Sequence, residues 1–226
     1  MSEIPHSSPD LEQIYRERFS GNREYRDRVW KTLTSAFFSR WIAPDAAVLD
    51  LGCGYCEFIN NIAAGRKFGM DLNPDAVRNA AAGVTVFQQD CSTAWPLPEG
   101  SLDAVFTSNF FEHLPSKAHL ERTLQHAWTA LRPGGVLIAI GPNIKYLPGA
   151  YWDFFDHYIE LTELSLTEVL KKCGYSIETM EARFLPYTMS DGRKYPLALL
   201  RLYLSLPMAW RLFGKQFLVV ARKAGS

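Results

Sequence analysis

Cysteine is scarce: Cys53, Cys56, Cys91 and Cys173 are the only four in 226 residues. The CxxC formed by the first two has no second pair to complete a zinc site, so these thiols read as small buried side chains rather than metal ligands or a redox couple. No apolar run of signal-peptide type opens the chain, because charged and aromatic residues alternate through the first forty positions, and a cytoplasmic protein is the expectation. Nor is there an unbroken apolar run of about 20 residues. The greasiest stretch, Lys194 to Phe213, is interrupted by Arg201, Pro207 and Arg211, which speaks against a transmembrane span. A Ser-His-Asp arrangement, a phosphate-binding lysine loop and a ligand cluster with metal spacing are all missing. Net charge is zero as well. What remains, with 47% hydrophobic and 21% charged residues, is the composition of one ordinary globular domain with an extension.

The most informative segment is Val48-Leu49-Asp50-Leu51-Gly52-Cys53-Gly54, followed by Phe68-Gly69-Met70-Asp71-Leu72. It reads as a buried strand, a tight glycine turn, a helix start, and a second strand ending in a carboxylate. Glycines let the backbone turn sharply and approach a ligand. A carboxylate at the end of the next strand can accept both hydroxyl hydrogens of a ribose. The constellation therefore points to a nucleoside. A pyrophosphate-bearing dinucleotide would want a third glycine where this chain has Glu57, and a carboxylate there repels phosphate. A ligand with an amino-acid tail and no phosphate fits better.

At Asp50, Gly52 and Gly54 the chain resembles the class I S-adenosylmethionine-dependent methyltransferases, whose first motif is an acidic residue followed by G-x-G. The resemblance continues through Val84 to Cys91, a third strand ending in Asp90, and through Leu102 to Leu114, a fourth strand and the loop after it. Leu131-Arg132-Pro133-Gly134-Gly135 then leads into a strand from Val136 to Ile140. It implies S-adenosylmethionine as cofactor, contacted by Asp50, Gly52, Cys53, Gly54, Asp71, Leu72, Asp90, Cys91, Ser108, Asn109 and Phe110. The implied fold is α/β, a doubly wound, mostly parallel seven-stranded sheet with an antiparallel edge strand. That agrees with the alternation of strand and helix through residue 141. Residues 1–44 read as an N-terminal helical cap and 45–226 as the methyltransferase domain, with 142–162 and 183–214 as substrate-side elaborations.

Helical spacing over Leu11 to Trp41 places Tyr15 and Phe19, and then Val29, Leu33 and Phe37, on common faces. In related methyltransferases such a leader often lies over the cofactor, making Tyr15, Phe19 and Arg28 candidate contacts against plain core packing. Ser165-Leu166-Thr167-Glu168 has the form of a capping box for a helix running to Lys172, with Gly174 as its stop. Beyond the fifth strand, the loop from Gly141 to Tyr158 combines five aromatic residues from Tyr151 onward with Asp153, Asp156 and His157. Ligands of open α/β sheets sit beyond the carboxyl ends of the strands, so this loop lines a substrate pocket. His157, oriented by Asp156, is the expected general base. Glu112 and His113 read as mainly structural.

These residues imply in-line methyl transfer, most simply O-methylation of a small molecule such as a sugar, a glycolipid or a natural-product intermediate, with N- or C-methylation and a catalytically inactive binding protein as the alternatives. Ser108-Asn109-Phe110-Phe111 is not the Asn/Asp-Pro-Pro-aromatic loop of adenine methylation, which disfavours a nucleic-acid base as acceptor. From Arg183 onward eight basic residues face Asp191 alone, leaving +7 on this end and −7 on the rest. This basic end suits an anionic or lipid-linked substrate, or peripheral contact with a membrane. The apolar insertion between the last two strands, 196–213, must be covered as a substrate lid, as a homodimer seam or at a membrane surface, in that order of expectation.

Overall fold

A computed structural model describes residues 22–187 and 194–225. Its centre is one seven-stranded sheet in the order β3-β2-β1-β4-β5-β7-β6. In chain order these are β1 (Ala47–Leu51), β2 (Arg66–Met70), β3 (Val84–Phe87), β4 (Leu102–Ser108), β5 (Leu131–Pro142), β6 (Tyr175–Glu181) and β7 (Gln216–Lys223). Strands β1 to β5 run parallel, while β7 lies antiparallel between β5 and β6. The reversed strand is thus next to the edge, and β6 itself forms it.

Strand periodicity explains the two cores. Along β1, Ala47, Leu49 and Leu51 point to one apolar cluster and Val48 to the other; along β7, Phe217, Val219 and Ala221 oppose Leu218 and Val220. Strands covered on both faces carry near-continuous apolar runs, as these do. The first face is closed by α4 (Lys117–Ala130) and α5 (Glu163–Lys172) through Leu120, Leu124, Leu166 and Leu170. On the opposite face lie α1 (Arg23–Ala36) and α2 (Glu57–Asn61), with α3 (Asp75–Asn79) beside them. Trp30 and Leu33 of α1 and Phe37 just beyond it join Phe58 and Phe106 there.

The leader helix is described from Arg23 and ends at Ala36, followed by a 3-10 turn at Phe38–Arg40, rather than running to Trp41. The capping box also sits three residues earlier than its sequence suggests. Thr162 is the cap, its hydroxyl accepting from the Ser165 backbone N–H while the Ser165 hydroxyl reaches back to the Thr162 N–H. Serine at the third helical position serves here in place of the usual Glu or Gln. The apolar insertion forms α6 (Leu197–Leu204) and α7 (Pro207–Phe213), packed on the α1 side through Leu204, Trp210 and Tyr203. Among the described residues no helix is long and apolar enough to cross a membrane.

Candidate functional site

Strand order reverses between β1 and β4, and the crevice outside their carboxyl ends is the ligand position of open α/β sheets. Leaving β1, the chain turns at Gly52 with φ +70°, and a Cβ added there would stand 2.2 Å from Cγ of Phe110. Glycine is required twice over, for the left-handed backbone and for the approach of the ring. Asp71, one residue past β2, braces this turn: its Oδ2 accepts from the Gly54 N–H at 2.7 Å and its Oδ1 from the Asn73 N–H at 2.8 Å. Each oxygen keeps a second lone pair for a ribose hydroxyl.

The pocket is lined by Arg26 and Trp30 of α1, by Asp50 near the end of β1, by Gly52, Cys53 and Gly54 of the turn, by Tyr55 and Glu57 beyond it, and by Ser108 at the end of β4 with Asn109 after it. Six of the residues expected at the cofactor therefore meet here, with Phe110 closing over Gly52. Asn109 has a left-handed backbone (φ 49°), and its buried Oδ1 accepts no hydrogen bond from the protein. Arg26, 4% exposed, pairs with Glu57 at 2.7 Å. Burial pushes the Asp50 carboxyl well above the usual carboxylate range against a hydrogen bond from the Ile59 backbone, and nearby Asp71 and Glu57 push the same way. Burial also raises Glu57, opposed by Arg26. Two lining carboxylates, with Asp71 nearby, against one guanidinium make a wall that welcomes an amino-acid tail bearing additional positive charge. That is the charge pattern of S-adenosylmethionine, whose ammonium, carboxylate and sulfonium these residues would hold.

Other expected contacts lie elsewhere. Leu72, two residues past β2, is exposed and does not line the pocket. Asp90 stands three residues past β3 and accepts from the Ser92 N–H at 2.7 Å. The Cys91 thiol turns into the core, 3.3 Å from the Thr123 hydroxyl, with its pKa pushed up to about 12 by burial, so its side chain is a packing group. Cys53 is likewise buried, its Sγ 3.8 Å from that of Cys56. Tyr15 and Phe19 lie outside the described residues. Arg28 is on the solvent face of α1, and it is Arg26 and Trp30 that reach the pocket. Their spacing of four residues on the face that carries Leu33 was the available signal.

A second group of polar residues forms where the loop after β5 returns to the turn after β4. Backbone N–H groups of Tyr158 and Ile159 donate to the Glu112 carbonyl, tying the two segments together. Asp156 meets His113, with Nδ1 at 3.1 Å from its Oδ2 and 2.9 Å from its carbonyl oxygen. His157 is 5% exposed, packed among Tyr151, Phe154 and His113, with the two imidazole centroids 4.8 Å apart. Burial would lower the His113 pKa, but Asp156 and Glu112 raise it overall; burial lifts the Glu112 carboxyl to about 7 despite His113. Glu112 and His113 follow Ser108 and Asn109 of the pocket lining by a few residues, which sets this group on the β4 side of the pocket. The structure thus draws Glu112 and His113 into the site together with Asp156 and His157. Their position directly after a strand end in the crevice was the clue.

Comparison with known proteins bears on this geometry. Residues 49–139 match the family described as a methyltransferase domain. Over 138 residues, 58% of this chain and 52% of the relative, the sequence is 31% identical to a Mycolicibacterium smegmatis protein named as an S-adenosylmethionine-dependent methyltransferase. A 2-methyl-6-phytyl-1,4-hydroquinone methyltransferase of Synechocystis is 28% identical over 123 residues, 50% of this chain and 38% of its own. The chain spans about half or less of the length of these curated relatives. Among solved structures, an S-adenosylmethionine-dependent methyltransferase from Archaeoglobus fulgidus superposes with a TM-score of 0.67 at 22% identity, covering 95% of this chain and 100% of that one. The strand order, the glycine turn and the domain match agree: residues 49–139 are a methyltransferase domain, similar to those of the S-adenosylmethionine-dependent methyltransferases, and that similarity implies S-adenosylmethionine as cofactor.

Proposed function

We propose that this chain catalyses O-methylation of an apolar small molecule, and that the acceptor hydroxyl ionises at the group formed by Glu112, His113, Asp156 and His157. The observation that carries this reading is the convergence of two imidazoles and two buried carboxylates beside the cofactor pocket. When bound, S-adenosylmethionine supplies an electrophilic methyl group on a sulfonium. The protein's own contribution is to align the acceptor for in-line displacement, to exclude water and to manage the proton that the hydroxyl loses. Asp156 fixes the His113 ring through Nδ1, and His157 supports that ring edge-on from within the loop. Phe155, 89% exposed, and the half-exposed Trp152 stand on the same loop as an apolar rim, so residues 142–162 serve the acceptor side. The compound named for one relative, a phytyl-bearing hydroquinone, is likewise a largely apolar small molecule, which supports the acceptor class and leaves the methylated atom to the experiment.

The deciding experiment gives labelled S-adenosylmethionine and the purified protein to a cell extract and identifies the linkage in the labelled product. A methyl ether supports the proposal, a methylamine or C-methyl product overturns the O-specific part, and no transfer despite cofactor binding indicates a binding protein. A companion variant, His157→Ala, is expected to lower turnover by roughly 10²–10⁴-fold with cofactor affinity nearly unchanged. Loss of cofactor binding or folding in that variant would make the histidine structural.

A further inference from the structure

The same polar group is built to hold a cation. Glu112, His113 and His157 each offer a ligand atom, and these atoms all lie within 4.8 Å of one another. Glu112 is 1% exposed, and its Oε1 accepts no hydrogen bond in the fold. Leaving a carboxylate oxygen buried and unsatisfied is costly, and a bound cation removes that cost. With Nδ1 of His113 facing Asp156, Nε2 is the nitrogen left for a ligand bond. A carboxylate behind the far nitrogen is the arrangement that fixes the ring and raises the basicity of a metal-binding histidine.

We propose that Glu112, His113 and His157 bind one divalent cation of the zinc, cobalt or manganese class, with Asp156 as the positioning residue behind His113. Two imidazoles and one carboxylate suit these ions, whereas magnesium and calcium prefer all-oxygen sites. Three protein ligands leave coordination positions open, and the acceptor hydroxyl takes one of them. A hydroxyl held there would lose its proton near neutral pH to bulk water before the site closes, and its oxygen would keep the electron pair for attack on the methyl group. This role rests on the O-methylation reading, but cation binding itself is measurable without cofactor or acceptor.

The test titrates Co²⁺ into tag-free, cofactor-free full chain and follows the visible absorption of the bound ion. One saturable Co²⁺ per chain, displaced by Zn²⁺, is expected. Glu112→Gln should weaken binding by more than about a hundredfold and Asp156→Asn by roughly tenfold, with S-adenosylmethionine affinity retained in both. Absence of saturable binding, equal binding by wild type and Glu112→Gln, or a thiolate charge-transfer band from Cys53 and Cys56 would overturn the site. If Glu112→Gln does not fold, X-ray absorption of the zinc-loaded wild type decides: two imidazole ligands support the proposal, while sulfur or oxygen ligands alone refute it. Failure of S-adenosylmethionine to bind a chain that still takes up Co²⁺ would count against the methyltransferase reading and not against the cation site.

Discussion

Asp71 braces the glycine turn through Gly54, and we propose that its remaining lone pairs take the hydroxyls of a ribose. Asp71→Ala should therefore cost about 2–3 kcal/mol of cofactor binding, roughly a thirty- to hundredfold loss in an isothermal titration. Unchanged affinity would remove Asp71 from the site. Asp50 makes a different prediction, because its carboxyl is raised by burial and by neighbouring carboxylates. A cationic ligand favours the ionised form, so cofactor binding should release a proton wherever the pH lies below that raised pKa and above the value in the complex. Affinity should rise with pH across this window and the rise should be blunted in Asp50→Asn; titrations in buffers of different ionisation heat measure the released proton. These acids and glycines were legible in the sequence because the turn needs their chemistry at fixed spacing. Arg26, Glu57 and His113 were harder to see, since their roles come from crossings between α1, α2 and the β5 loop that no local pattern records. Cys91 shows the opposite: the resemblance implied a cofactor contact, yet its side chain points into the core.

At the level of elements, strand periodicity and glycine stops located the sheet well, whereas helix ends depended on caps that the residue pattern leaves ambiguous. Thr162 and Ser165 are both hydroxyl residues, and only the backbone geometry shows that the first is the cap and the second its reciprocal partner. The helix they open, α5, also anchors the acceptor loop. Glu163 in its first turn accepts from Asn143 Nδ2 at 2.6 Å and from Lys145 Nζ at 2.7 Å, holding the chain just past β5. Burial would raise the Glu163 carboxyl, but these two partners outweigh it and hold the pKa below the usual value. A carboxyl lowered in the folded state stabilises the fold above its unfolded pKa of about 4.3 and loses that contribution as pH falls through the lower folded value. Glu163→Gln is thus expected to cost about 1–2 kcal/mol near neutrality, discounted for the partly exposed Lys145. The deficit should shrink in acid, which denaturant melts at pH 7 and pH 3 would show; an equal deficit at both would mean that the ion pair contributes nothing.

For the molecule as a whole, exposed apolar surface gathers on the insertion between β6 and β7. The insertion between β6 and β7 buries Leu204 and Trp210 against the α1 face but leaves Leu199, Leu202, Leu206, Met208, Leu212 and Phe213 exposed. None of the described residues 194–213 lines the cofactor-side pocket, so a lid made by this segment would have to cover the acceptor side alone. Six large apolar side chains on two adjacent helices form the kind of patch that soluble monomers seldom leave bare. Arg201 and Arg211 interrupt it, within a segment from Arg183 onward that carries +7 against −7 for the remainder. A segment that is both basic and apolar suits contact between two copies of the chain, with its exposed apolar side chains buried in the seam. Self-association is therefore the expected outcome: light scattering should show a dimer, and Leu202→Asp together with Phe213→Asp should give monomers that still bind S-adenosylmethionine. Rising salt should weaken a contact made by charge and spare one made by apolar burial, since screening acts within about 10 Å at 0.1 M. A wild-type monomer that instead sediments with anionic vesicles at low salt and is released as salt rises would assign the same face to a lipid surface. In that outcome the acceptor would be drawn from the membrane, and turnover on a lipid-linked hydroxyl would increase when vesicles carry it.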